Sequence, residues 1–174
     1  MRYKKFIIKN FKGINDLTID LSKQPESHIY TFVGLNESGK TTILEAINTI
    51  NTGYNPLTSH RLIPKHLKAN FNGNVSVKAY IEIDDTDNIK IGQKIEELGY
   101  NGYKKINEFT IESTCSFKDS KYVKSISYWD FHPTVKKNNS KHYIQLEHQD
   151  DCEDDWLIIA NYIEKNLMPQ IVYY

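Results

Sequence analysis

The sequence of 174 residues predicts an α/β fold in which a mixed or antiparallel sheet surrounds one helix that follows a glycine-rich loop. Three observations support this prediction. Several segments alternate between apolar and polar residues, others carry apolar residues three and four positions apart, and a short apolar run leads directly into the glycine-rich loop. The length fits one domain with a buried core. We therefore expect residues 1–174 to form a single lobe with no second domain.

The individual elements follow from the same periodicities. Predicted strands cover residues 3–9, 15–21, 28–33, 75–83, 109–117, 121–131 and, more weakly, 142–147, with a further strand starting at 171. Predicted helices cover about 40–51, a short segment capped by Asp87 and ended by Gly99, and about 152–167. A turn at 10–13 joins the first two strands, and 53–72 is a long irregular connection. Alternating strands bury one face, whereas the apolar 28–33 run is expected inside a parallel sheet.

Residues Gly34–Thr41 read Gly-Leu-Asn-Glu-Ser-Gly-Lys-Thr, which is the G-x-x-x-x-G-K-[ST] pattern of a Walker A phosphate loop. A triphosphate is bound by bare backbone N–H groups, and the two glycines leave those groups unhindered. The lysine sets a charge against the β and γ phosphates, and the threonine hydroxyl is placed to ligate Mg²⁺. The predicted ATP and magnesium site consists of Gly34, Asn36, Glu37, Ser38, Gly39, Lys40, Thr41 and Thr42, with Thr41 on the metal.

Composition sets limits on the class of protein. Lysine plus arginine and aspartate plus glutamate both number 22, so the net charge is zero and gives no support for DNA as a partner, although DNA stays possible. No apolar run approaches the length of a bilayer and no signal peptide is present, which predicts a cytoplasmic protein without a membrane partner. The two cysteines, Cys115 and Cys152, are expected to be reduced.

A second motif of nucleotide hydrolases is harder to find. The segment 79–85 superficially resembles a Walker B strand ending in Asp84 and Asp85, which could serve the magnesium ion. Polar and apolar residues alternate through it, so an antiparallel strand with one wet face is the favoured interpretation. The D-x-x-G and N-K-x-D motifs of signalling GTPases do not occur, which makes that class a minor alternative, together with a pure interaction module.

The order Lys-Phe-Ile-Ile-Lys-Asn-Phe-Lys-Gly over 5–13, an alternating strand, and then Phe-Val-Gly-Leu-Asn-Glu-Ser-Gly-Lys-Thr-Thr-Ile-Leu-Glu-Ala-Ile-Asn resembles the amino-terminal segment of SMC, RecF, RecN and OLD-type ATPases. The resemblance is specific over about the first 50 residues. It implies an ABC-like ATPase lobe, and it implies that Lys12 reaches back to the nucleotide phosphates. Glu37 departs from the pattern, because many members carry glycine there.

The resemblance also implies a role for the whole protein. Two heads would sandwich ATP as a homodimer and hydrolyse it in DNA repair, DNA maintenance or anti-phage defence; an OLD-type nuclease is the alternative. The family's signature motif and Walker B carboxylates usually lie toward the carboxyl side, so this chain resembles the amino-terminal half of a larger head. Weaker candidates are a Q-loop glutamine at Gln145 or Gln149 and a metal at His142, His148 and Cys152, for which scattered surface residues are the simpler interpretation.

Overall fold

A computed structural model describes residues 1–23, 30–138, 140–148 and 153–171. The chain divides into two compact units. The unit that contains the phosphate loop, called the loop unit, comprises residues 3–80, 110–129 and 170–174. The second unit comprises residues 1–2, 81–109 and 130–169.

The described residues form eight strands, three helices and two short 3₁₀ turns, which confirms the predicted mixed α/β class. The strands are β1 (Arg2–Phe11), β2 (Ile14–Asp20), β3 (Gly73–Glu82), β4 (Tyr100–Lys104), β5 (Glu108–Lys118), β6 (Lys121–Asp130), β7 (Thr134–Lys137) and β8 (Tyr143–Gln145). The helices are α1 (Lys40–Thr52), α2 (Asp85–Glu97) and α3 (Glu153–Asn166). The 3₁₀ turns, Ser59–Arg61 and Lys65–Leu67, lie in the connection predicted to be irregular.

A five-stranded sheet has the order β2-β1-β3-β5-β6. Strands β1 and β2 are antiparallel, and Phe6 lies opposite Ile19. The turn between them is shorter than the predicted 10–13, because Phe11 still pairs with Ile14 and is buried. Burial of the Phe11 ring stabilises the longer strand, so only Lys12 and Gly13 remain outside the strands.

Strand β3 alternates between buried and half-exposed residues along nearly its whole length, as predicted for a strand with one wet face. It runs antiparallel to β1. The Asn10 Nδ2 group donates to the Asn74 carbonyl at 3.0 Å, and Arg2 forms an ion pair with Glu82 near the other end of both strands. β3 is therefore not the central parallel strand that a Walker B motif would require.

The predicted parallel strand at 28–33 is wrong where it can be tested. Residues 30–33 form no strand, and Val33 is 91% exposed. A β-strand is stable only when neighbouring strands pair with its backbone, and no strand of the described residues pairs with this run. Residues 28–29 lie outside the described residues, as do 172–174 of the strand predicted at the end of the chain; Ile171 is not in a strand.

The second unit contains a three-stranded antiparallel sheet of order β4-β7-β8. The sequence did not predict β4 and β7, because both are short and β4 contains a glycine with an irregular register. The weak strand expected near 142–147 is present as β8. The cap predicted at Asp87 is wrong: the Asp84 carboxylate accepts the Asp87 N–H at 2.8 Å, so the helix begins one turn earlier.

Candidate phosphate-binding site

Helix α1 begins in a way that leaves its first backbone N–H groups free of protein caps. Gly39 precedes it with φ 91°, no side chain caps the helix, and no acidic residue lies in its first turn. Uncapped N–H groups and the positive end of the helix dipole both favour a bound anion. Because φ is positive at this position, any residue with a Cβ would be strained there.

The loop before the helix is a tight turn. The Ser38 N–H donates to the Leu35 carbonyl at 3.3 Å, and a Cβ added at Gly34 would lie 2.8 Å from the Ser38 Oγ atom. Glu37 adopts φ 67°, a left-handed conformation that favours glycine. This conformation explains why glycine suits the position in the families that the sequence resembles, and it makes Glu37 a locally strained residue of the loop.

The Lys40 side chain folds back over this turn. Its amine donates to the carbonyl oxygens of Gly34 at 2.7 Å and Leu35 at 2.6 Å. The two carbonyls hold the ammonium group at the loop. Its positive charge is therefore already in position before an anion binds.

An open cavity of about 240 Å³ lies where the glycine-rich loop meets the start of α1. It is lined by Asn36, Glu37, Gly39, Lys40, Thr41 and Thr42. Cavities that enclose a whole small ligand measure roughly 300–1,000 Å³, so this one is smaller than a cavity that encloses a whole nucleotide. Thr41 is the second residue of α1 and is exposed. Its hydroxyl is the type of oxygen ligand that Mg²⁺ accepts.

Lys12 lies on the turn after β1 and does not line the cavity. Its amine forms an ion pair with the Glu45 carboxylate on α1, and its backbone N–H donates to the Leu62 carbonyl at 2.6 Å. Glu45 is four residues after Thr41, so the two share one face of the helix. Sequence analysis missed Glu45; its spacing from the Walker A threonine was the available signal.

Asp84 and Asp85, the candidate Walker B acids, take part in local interactions of the second unit. Asp84 caps α2, and the hydrogen bond from the Asp87 N–H holds the pKa of the Asp84 carboxyl below its usual range. Asp85 accepts from the Lys105 amine at 2.7 Å. The capping role accounts for Asp84 without a metal ion.

The weaker candidates form no metal cluster among the described residues. Gln145 ends β8, and His148 stacks edge-on against Trp156 with ring centroids 5.1 Å apart. Gln149 and Cys152 lie outside the described residues. Across 1–23, 30–138, 140–148 and 153–171, no cluster of histidine, cysteine and acidic side chains could hold a metal ion. Cys115 is free, and burial raises the pKa of its thiol to about 11.

The zero net charge is unevenly divided between the two units. By sequence, the loop unit has 13 lysines and arginines against 7 acidic residues, whereas the second unit has 9 against 15. Residues 46–81 contain no acidic residue, and this stretch includes exposed basic groups at His60, Arg61, Lys65, His66 and Lys68. The balanced total therefore conceals a positively charged loop unit.

Comparison with known proteins adds a family and a fold. A sequence model of the AAA domain family matches residues 5–168. A solved structure from work on "ATP-driven dimerization and DNA stimulated activation of SMC ATPases" shares the fold, with a TM-score of 0.51 and 16% identity over 98% of this chain and 87% of that one. No curated protein sequence matches the chain. No helix of the described residues is long and apolar enough to cross a membrane.

Proposed function

Since this chain belongs to the AAA domain family and shares the fold of an SMC ATPase head, we propose that it binds Mg²⁺ and ATP through Gly34–Thr42. The observation that carries the proposal is the uncapped start of α1 beneath a lysine held at the loop. The proposed contacts are Gly34, Asn36, Glu37, Ser38, Gly39, Lys40, Thr41 and Thr42, with Lys12 near the terminal phosphate.

Each residue type has a defined task in this proposal. Gly34 and Gly39 leave room for backbone N–H groups to approach the phosphates, and Lys40 neutralises part of their charge. Thr41 supplies the protein ligand to magnesium, an ion that stabilises charge on phosphate oxygens when bound. The cavity is lined only by residues of the loop and the first turn of α1, so the triphosphate and not the base would provide most of the affinity.

At the level of the whole protein, we infer an ABC-like ATPase head of which this chain is the amino-terminal half. ATP would bring two such heads together, a behaviour named for the SMC protein that shares the fold. Hydrolysis would require a catalytic carboxylate supplied by other segments, because Asp84 and Asp85 already serve the second unit. DNA repair, DNA maintenance and anti-phage defence are the settings that the sequence resemblance suggests, with an OLD-type nuclease as the alternative.

Calorimetric titration of the 174-residue protein with ATP tests the binding proposal. We expect saturable binding that weakens when magnesium is chelated, because the metal screens the phosphates. An absence of saturable binding would reject the proposal.

Phosphate release should stay below about one turnover per minute, since positioning without an oriented water leaves most of the barrier to hydrolysis. Several turnovers per minute, abolished by both Lys40→Ala and Asp84→Asn, would instead identify Asp84 as part of a complete catalytic site.

A second proposed activity is contact with the backbone of duplex DNA through the exposed groups His60, Arg61, Lys65, His66 and Lys68. The absence of acidic residues from 46–81 supports it, because these basic groups attract phosphates without opposition from acids of their own segment. The surrounding asparagines, such as Asn70 and Asn72, are exposed and add hydrogen-bonding groups.

Salt-dependent DNA binding tests this second activity. Removing Arg61, Lys65 and Lys68 together should lower the slope of log K against log salt by about 3. The matched control removes Lys137, Lys141 and Lys165, which are exposed in the second unit, and should leave the slope unchanged. Equal losses in the two triple variants would mean that the loop unit has no special role.

A further inference from the structure

The ion pair between Lys12 and Glu45 joins two parts of the loop unit that are 33 residues apart. Lys12 follows Phe11, which is buried at the end of β1, and the Leu62 carbonyl holds its backbone N–H. Its φ of 54° is a left-handed conformation within the turn. The buried Phe11 and the hydrogen bond to Leu62 hold the main chain of Lys12, so the part that can move is the side chain beyond Cβ.

Glu45 brings this amine close to the start of α1. It lies three residues after Thr42 and four after Thr41, positions that are neighbours on a helix surface about 5–6 Å apart. The carboxylate therefore lies about one helical turn from the hydroxyl proposed to hold magnesium. Both side chains of the ion pair are about one-third exposed, at 31% and 33%, so an incoming anion can reach the Lys12 amine.

We propose that Glu45 restrains Lys12 and thereby sets how strongly the site prefers a nucleoside triphosphate to a diphosphate. This inference rests on the proposed function. In the free protein the Glu45 carboxylate pairs with the amine. A terminal phosphate at the start of α1 competes for the same amine, so triphosphate binding loses the Lys12–Glu45 pair while diphosphate binding leaves it intact. Glu45 acts through Lys12 and is a positioning residue.

A double-mutant cycle on the full 174-residue protein tests the restraint. Affinities for ATP and ADP, both with magnesium, are measured for wild type, Glu45→Gln, Lys12→Met and the double variant. Glu45→Gln should raise the ratio of ATP to ADP affinity about fivefold, the upper range for a partly exposed ion pair. In the Lys12→Met background the same substitution should leave that ratio unchanged, because the restrained amine is gone.

The alternative explanations give different results. If Glu45 acts only by its own negative charge, Glu45→Gln raises the ratio of ATP to ADP affinity at least as much in the Lys12→Met background as in wild type, because Lys12 no longer screens that charge. That result overturns the proposal. An unchanged ratio in the single Glu45→Gln variant also overturns it, and that outcome does not depend on whether Lys12→Met folds.

Two further measurements separate this inference from the proposed function. Lys9→Met, on the exposed side of β1, is the matched control and should leave the ratio of ATP to ADP affinity unchanged. If the wild-type protein binds neither nucleotide, the proposed function itself fails. If it binds both but the four proteins of the cycle show no coupling, only the restraint by Glu45 fails. A melting temperature for each variant excludes unfolding as the cause of a lost affinity.

Discussion

Helices α1 and α2 begin in opposite ways. At α1 the preceding residue is a glycine, no side chain caps the helix and the first turn has no acid. At α2 the Asp84 carboxylate caps the helix, and Asp85 and Asp87 fill the first turn. The first N-terminus can therefore accept an anion, whereas the second already carries its own negative charges.

This contrast shows why a carboxylate near a nucleotide-binding motif is not by itself a catalytic group. Asp84 and Asp85 have the residue types of a Walker B motif, but their oxygens are engaged by the Asp87 N–H and the Lys105 amine. Among the described residues, Lys40 in contrast donates to loop atoms that a phosphate can join: two carbonyl oxygens and, more distantly, the Ser38 hydroxyl. Four substitutions or ligand comparisons test the difference.

The largest effect is expected at Lys40. Lys40→Ala should lower the affinity for ATP at least tenfold, about 1.4 kcal/mol, because it removes the charge facing the β and γ phosphates. Calorimetry measures the change, with exposed Lys9→Ala as the control. Equal ATP binding by wild type and Lys40→Ala would contradict the assignment of α1 as the anion-binding helix.

A smaller effect, on stability, is expected at Asp84. Asp84→Ala should lower the free energy of unfolding by about 1 kcal/mol through loss of the helix cap, while ATP affinity stays the same. Since folding lowers the Asp84 pKa, its stabilising contribution is present above the unfolded carboxyl pKa of about 3.9 and is lost as pH falls through the lower folded value.

The difference in unfolding free energy between wild type and Asp84→Ala should therefore shrink in acid. Urea denaturation at neutral pH and near pH 3 measures it. Asp84→Asn retains a capping side chain and should cost less than alanine at neutral pH. A large loss of ATP affinity in Asp84→Asn, without loss of stability, would show that the second helix start also serves the nucleotide.

A gain of function is expected at Glu37. Glu37→Gly should raise ATP affinity about threefold, because it relieves a left-handed backbone and removes a negative charge beside the phosphates. Glu37→Gln removes the charge alone and should give a smaller gain. Competition binding with a labelled ATP analogue would rank the three proteins, and an affinity order with wild type highest would show that the Glu37 side chain assists binding.

The smallest effect concerns the base. Because the proposed contacts are to the phosphate chain and no guanine-reading motif occurs in the sequence, ATP should be preferred to GTP by no more than about threefold. Competition between the two nucleotides for the wild-type protein measures this ratio. Much tighter binding of GTP would contradict the proposed ATPase assignment.

The sequence by itself determined the features that depend on short-range patterns. The glycine loop, the helix after it and the one-faced strand β3 were all predicted, because residues one to four positions apart decide periodicity and backbone freedom. The same reasoning identified the whole set that lines the cavity. These residues are contiguous in the chain, so the local turn brings them together without help from distant segments.

Only the tertiary structure decided which partners distant residues acquire. The apolar run before the loop looked like a buried strand, but a strand needs paired neighbours and Val33 is left exposed. Glu45 looked like an ordinary helix residue until the turn after β1 brought Lys12 to it. The zero net charge looked uninformative until folding sorted the acids and bases into two units. Contacts across many residues depend on packing of the whole chain, and no local pattern encodes them.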